Sequence, residues 1–198
     1  MFDPWFAAAL VVGYVFGSVP FGLLLTRLAG LGDIRAVGSG NIGATNVLRT
    51  GRKDLALATL ILDSGKAGFA CLLFTALASP TAGLIAGGAA FFGHCFPVWL
   101  QFQGGKGVAT FLSVLLAAFW PVGVLTCLVW LGMALMMRMS SLAALTSALA
   151  APLLAYAFGQ EAVAMLALFL AVLLYWRHKD NIGRILTGEE PKIGAKKA

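Results

Sequence analysis

Apolar residues along this chain come in runs too long for the core of a small soluble domain, and polar residues come in short clusters between them. The first run extends from about Trp5 to Leu28; Gly17, Ser18 and Pro20 punctuate it and predict a helix kinked in its inner third. A second run, about Leu55 to Ala78, leaves through the uncharged turn Ser79-Pro80-Thr81, and a third, about Gly83 to Leu100, leads into a Gly-rich loop. From Val108 to Met137 the chain is mostly apolar but interrupted at Trp120-Pro121. Two further runs, about Ser141 to Phe158 and Ala162 to Trp176, flank the turn Gly159-Gln160-Glu161. Apolar runs of about 20 residues cross a bilayer as helices, which satisfy their own backbone hydrogen bonds in lipid.

Charge decides how the stretch from Val108 to Met137 divides. Read as one helix, it would put Arg138, and later Arg177, Lys179, Arg184, Lys192, Lys196 and Lys197, on the outer side, against the positive-inside rule. Division at Pro121 into a short limb, Val108 to Phe119, and a longer one, Val122 to Met137, returns them to the inside. The expected architecture is therefore an all-α integral membrane protein of about seven transmembrane helices, some short or kinked. Its N-terminus lies outside and its C-terminus is cytoplasmic. Residues 1–198 are expected to form a single transmembrane domain with cytoplasmic motifs at 33–53, 101–110 and 177–192. The limb at 108–119 is short for a crossing; if re-entrant, it makes 108–137 a hairpin.

Composition agrees with this reading: the chain is 60% hydrophobic and 11% charged, with a mean hydropathy of +0.91, whereas globular domains carry about 25% charged residues. The net charge of +6 lies scattered through inter-span loops and a basic tail ending KIGAKKA, expected on the anionic leaflet, so it argues against nucleic acid. Asp3 stands where a secretory leader would be positive, so MFDPWF reads as the outer end of a retained span with Trp5 at the interface. Cys71, Cys95 and Cys127 are far apart in apolar stretches and read as reduced packing residues. No internal repeat is evident.

The candidate chemistry sits in the three polar segments. Ser39 to Arg49 reads SGNIGATNVLR and Gly104 to Thr110 reads GGKGVAT. Glycines permit tight turns whose successive N–H groups form a concavity favourable to oxyanions. Arg49 and Lys106 add full charges. The expected cradles are the amides of Ser39 to Ala44 and of Gly104, Gly105 and Gly107, with the helix N-terminus near Val108. GGKGVAT lacks the spacing and strand context of a Walker A loop, so ATP is not implied; Gly-Gly-Lys-Gly would equally serve as a flexible turn. In RHKDNIGRILTGEEPK, His178 and Asn181 share a face of a continuing helix, with Arg184 one turn on. That face is either a reactive set or the solvated side of an interfacial helix. Asp63 and Lys66 fall at i, i+3 inside a span, where charges pair or face a polar cavity, as a structural pair or one that also orients substrate. His94 reads as an interhelical hydrogen-bonding residue. The chain lacks a His-x-x-x-x-Asp dyad and a G-x-S-x-G elbow, and two histidines without a carboxylate cluster argue against a catalytic metal.

SGNIGATNVLR, then GHCFPVWLQFQGGKGVAT, then RHKDNIGRILTGEE, in this order with apolar spans between, resembles the bacterial acyl-phosphate:glycerol-3-phosphate acyltransferase family. GSVPFG (Gly17 to Gly22) and LDSGKAG (Leu62 to Gly68) extend the likeness through essentially the whole chain. Gln103 stands where the family commonly has Lys, and Trp99 where it commonly has Phe. The resemblance implies an inner-membrane enzyme, facing the cytoplasm, that transfers a fatty acyl group from acyl phosphate to the 1-hydroxyl of sn-glycerol 3-phosphate, giving lysophosphatidic acid and inorganic phosphate. It implies no cofactor. Its partners are the two small-molecule substrates and the lipid bilayer, with no nucleic acid and no obligatory protein partner.

The catalytic set that follows is Ser39, Arg49, Lys106, His178 and Asn181. The phosphate- and substrate-binding set is Gly40, Asn41, Gly43, Ala44, Thr45, Asn46, Lys66, Gly104, Gly105 and Gly107; Asp63, His94 and Glu190 are expected to be structural. Arg49 and Lys106 are expected to clamp phosphates and Asn46 and Asn181 to orient the glycerol hydroxyl, with Ser39 hydrogen bonding rather than forming an acyl-enzyme. The base is His178 or a phosphate oxygen of the donor. Two rivals are an anion or phosphate transporter, suggested by the charges inside a span, and a nonenzymatic membrane scaffold.

Overall fold

The computed structural model describes residues 3–194, and these are helical with no strand; the last lysines of the tail, Lys196 and Lys197, lie outside the described residues. The chain packs as two compact units, one within residues 1–118 and one within 119–198. The first holds α1 (Pro4–Gly17), α2 (Phe21–Leu28), α3 (Ala44–Leu48), α4 (Lys53–Leu77), α5 (Pro80–Cys95) and α6 (Val108–Ala118). The second holds α7 (Trp120–Met137), α8 (Ser140–Ala157), α9 (Glu161–Arg177) and α10 (Lys179–Leu186).

Local chemistry starts and stops these helices. Asp3 caps α1 through Trp5 N at 3.0 Å, with Pro4 in the first turn. Ser79 caps α5 through Ala82 N at 3.2 Å, with Pro80 in the first turn. The first span breaks at Ser18 to Pro20, and Phe119 separates α6 from α7 just before Trp120-Pro121. The third run spans Pro80–Leu100; its α-helix ends at Cys95, because Pro97 disfavours helical backbone before it, and a short 3-10 turn, Val98–Leu100, completes it. One expectation is corrected. The last segment does not continue α9: the chain bends by 64° between α9 and α10, at His178.

Counting α1 with α2, five helical segments among the described residues are long and apolar enough to cross a membrane, and the bent pair α9 and α10 makes a sixth. At 11 residues α6 is the short limb.

Inside each unit the usual polarity is reversed: small residues face inward and large apolar ones outward, as lipid as solvent requires. In α8 the buried residues include Ala143, Ala144, Ser147, Ala148, Ala151 and Ala155, while Leu149, Leu153 and Tyr156 are exposed. In the first unit α1 lies so close to α5 that a Cβ on Gly13 or Gly17 would overlap the backbone of Ala86 or Ala90. Buried Phe91, Phe111, Val114 and Leu115 fill the remaining space.

Candidate active site

The loop from Ile34 to Leu48 is fastened from below by apolar contacts. Ile34, Ile42 and Val47 bury themselves with Leu23 of α2 and Ala56 of α4, and Leu100 packs at the edge of the same cluster. Above that floor Asn46 organises the backbone. Its Nδ2 donates to the carbonyls of Ile34 (3.0 Å), Val37 (2.9 Å) and Asn41 (2.8 Å), and its Oδ1 accepts from Ser39 N (3.1 Å) and Ser39 Oγ (3.4 Å). The carboxamide is saturated by these bonds and only 1% exposed. This corrects the expectation that Asn46 orients a glycerol hydroxyl: it shapes the loop instead.

The supposed cradle of amides is likewise narrower than its sequence. Ser39 N goes to Asn46, Gly40 N to the Val37 carbonyl at 3.1 Å, and Ile42 N to Asn41 Oδ1 at 3.0 Å. The amides of Asn41, Gly43 and Ala44 have no acceptor among the described residues. Gly38 and Gly40 take φ of 59° and 70°, which lets the loop double back beneath Arg49. Thr45 is exposed on α3. Arg27 and Arg35 are paired with Asp33, and Arg52 with Asp54. The hydrogen bonds from Arg35, chiefly, hold the Asp33 carboxyl far below its usual range. Arg49, exposed at the end of α3, has no carboxylate partner among the described residues.

The Gly-rich loop folds over the end of α5. Gln101 and Phe102 both adopt left-handed backbone, φ 52° and 61°, and turn the chain back on itself. Gly104 N then donates to the Cys95 carbonyl at 3.1 Å and Gly105 N to that of His94 at 2.9 Å, satisfying carbonyls a helix end leaves open. Two of the three expected cradle amides are therefore taken. The glycines answer to packing: a Cβ on Gly105 would overlap the His94 ring, and one on Gly107 the Phe91 ring. Lys106 is held half-buried between them, ahead of the first turn of α6. Trp99, at a position where sequence reasoning noted only a departure, donates its indole N–H to the Ser18 carbonyl at 2.6 Å and ties this loop to the break in the first span.

Below the loop lies a buried ionic cluster. Lys66 Nζ donates to Asp63 Oδ1 (2.8 Å), to His94 Nδ1 (2.9 Å) and to the Val19 carbonyl (2.7 Å), which also accepts from Phe21 N at 3.2 Å. An ammonium has three protons, and all three are placed. Lys66 as a phosphate ligand is thereby corrected: it has no donor to offer. Because a cation can only donate, His94 accepts at Nδ1 and its neutral ring carries its proton on Nε2, the nitrogen against Gly105.

In the second unit, His178 sits at the bend between α9 and α10 and is 2% exposed. Its Nδ1 lies 2.8 Å from the Leu174 carbonyl. A carbonyl only accepts, so Nδ1 bears the proton and Nε2 is the basic nitrogen of the neutral ring. Asn181, also buried, donates Nδ2 to Glu190 Oε1 at 2.6 Å, and Ser141 donates to the same oxygen at 2.6 Å. Arg184 binds Glu190 Oε2 at 2.8 Å. Burial opposes ionisation of Glu190, but these three donors outweigh it and hold its carboxyl below the ordinary range. Sequence reasoning missed Ser141: nothing local marks a serine whose partner is 49 residues away. No group of side chains among the described residues is suited to holding a metal ion.

A family model described as glycerol-3-phosphate acyltransferase matches residues 7–188. The chain is 64% identical over 191 residues to the glycerol-3-phosphate acyltransferase of Maricaulis maris, covering 96% of this chain and 88% of that protein. It is 60% identical over 192 residues to that of Caulobacter vibrioides, with the same coverage. It is also similar to the crystal structure of PlsY, an integral membrane glycerol 3-phosphate acyltransferase, in its glycerol 3-phosphate form. That similarity has a TM-score of 0.91 and 36% identity, and covers 96% of each chain. The lysophosphatidic acid form of the same enzyme matches with a TM-score of 0.88 at 35% identity, covering 96% of this chain and 95% of that one.

Proposed function

The chain belongs to the glycerol-3-phosphate acyltransferase family, and from that premise we propose that it transfers a fatty acyl group from acyl phosphate to the 1-hydroxyl of sn-glycerol 3-phosphate. The products are lysophosphatidic acid and inorganic phosphate. The observation that carries this reading is the similarity along 96% of both chains to an acyltransferase solved with glycerol 3-phosphate. The protein is a bacterial multi-pass membrane protein; about seven crossings with the N-terminus outside and the motifs facing the cytoplasm follow from its Lys and Arg distribution.

Acyl phosphate is a mixed anhydride with a good leaving group, so catalysis rests on positioning and charge. Arg49 and the open amides of Asn41, Gly43 and Ala44 suit one phosphate, and Lys106 suits phosphate as a point charge. The glycerol hydroxyl attacks the acyl carbonyl, its proton passes to a base, and the acyl–phosphate bond breaks as the tetrahedral intermediate collapses. His178 is the base its geometry supports, because donation from Nδ1 to the Leu174 carbonyl fixes the tautomer in which Nε2 is the basic nitrogen. Asn181 is held by Glu190 and orients the hydroxyl, and Ser39 hydrogen bonds. Asn46 and Lys66 hold the scaffold.

The test is turnover of acyl phosphate and glycerol 3-phosphate by the purified protein in detergent without CoA, read as phosphate release and lysophosphatidic acid formation. Phosphate uptake into vesicles without turnover would overturn this reading in favour of a transporter.

A further inference from the structure

The cluster of Asp63, Lys66 and His94 is not used by the chemistry above, yet it is the most expensive set of side chains in the first unit. Lys66 and Asp63 are 8% and 2% exposed inside a helix of membrane-spanning length, where an ionic pair is no more stabilising than well-packed apolar residues. Its partners suggest why it is there. Lys66 joins α4 to the break between α1 and α2, through the Val19 carbonyl and through the Phe21 ring 5.6 Å away. It joins α4 to α5 through His94. His94 in turn lies against Gly105 so closely that even a methyl group would not fit, and its carbonyl receives the Gly105 amide. The next residue is Lys106.

We propose that Lys66 and His94 are positioning residues that set the Gly-rich loop, so that the buried ion pair fixes where the Lys106 charge meets phosphate. The proposal rests on the phosphate role of Lys106 argued above. Lys66 locks the His94 ring in one orientation and one tautomer, and the ring is the floor on which Gly105 rests. A displacement of about 1 Å at such a loop changes rates on the order of 100-fold. The charges therefore set loop geometry, which an apolar substitute of equal volume would not.

The experiment is steady-state kinetics per folded protein, with the folded fraction taken from size-exclusion chromatography in detergent. Lys106→Ala first identifies which phosphate substrate has its KM raised. Lys66→Met is expected to raise the same KM on the order of tenfold or more, with a smaller change in kcat. The double variant Lys66→Met with Lys106→Ala is expected to be no worse in that KM than Lys106→Ala alone, because both act through one loop. His94→Gln keeps an acceptor for Lys66 and a polar group against Gly105, and is expected to hold KM near the parent value. His94→Phe, which keeps neither, is expected to raise it. Should Lys66→Met fail to fold, the two His94 variants decide alone. Multiplying effects in the double variant, or a parent-like KM in His94→Phe, overturns the proposal while leaving the role of Lys106 intact. Unchanged kinetics in Lys106→Ala instead removes the phosphate role of the loop, and the positioning proposal with it.

Discussion

The described cations differ in how far protein groups already engage them. Arg49 has no carboxylate partner among the described residues, whereas Lys66 has all three donors engaged within 2.9 Å. Lys106 follows Gly105, which packs directly on the His94 imidazole. Lys106→Ala is expected to lower kcat/KM by roughly 10- to 100-fold, the value of one charge-assisted hydrogen bond of about 1.5–3 kcal/mol. The protein should stay membrane-inserted, and unchanged kinetics would exclude the role. His178→Gln removes the basic Nε2 and is expected to abolish most turnover at every pH; near-parental turnover would favour the donor phosphate as base. The presence of Arg49, Lys106, His178 and Asn181 in polar segments between apolar runs was legible in the sequence. The saturation of Asn46 and Lys66 was not, because a side chain's type says how many hydrogen bonds it makes but not with whom.

Among elements, α1 packs on α5 with backbone against backbone. Gly17 allows contact with the Ala90 backbone, and a side chain there has nowhere to go. Gly17→Leu is expected to separate the helices, release the Trp99 to Ser18 contact and lower thermal stability in detergent sharply; an unchanged Tm would contradict the packing. The segment after α10 is tied in a different way, through Glu190 to α8 and α10, and its Ile193 amide donates to the Arg138 carbonyl at 2.6 Å. The folded Glu190 carboxyl titrates below its ordinary value of 4.5. Its contribution to stability is therefore complete above that value and is lost as pH falls through the lower, folded one. Asp33 shifts in the same direction, so the measurement is a difference. The gap in Tm between the parent and Glu190→Gln should be constant above about pH 5 and close below it; a gap independent of pH down to the acid limit would exclude the ionised tie. The breaks near Pro20 and Pro121 were legible because proline acts locally. The bend at His178 was not, since α9 and the residues after it continue a helical pattern without Gly or Pro at the break.

For the whole molecule, the proposed topology makes the turn at Gly159 outer and the segment around Lys192 cytoplasmic. A membrane-impermeant thiol reagent applied to right-side-out vesicles should label Gly159→Cys and leave Lys192→Cys unlabelled until the membrane is opened; the reverse pattern would invert the topology. The sequence by itself determined that this is a helical membrane protein, where its spans divide, and which motifs ally it with the glycerol-3-phosphate acyltransferases. Hydropathy, positive charge and proline act over one span or one turn. Tertiary structure decided which amides stay open, which cation has its donors filled, and which nitrogen of each histidine carries the proton. Those depend on partners distant along the chain: Val19 and His94 for Lys66, 47 and 28 residues away, and Ser141 for Glu190, 49 residues away. A buried polar atom must find a partner wherever the packing brings one, and one-dimensional spacing does not encode that meeting.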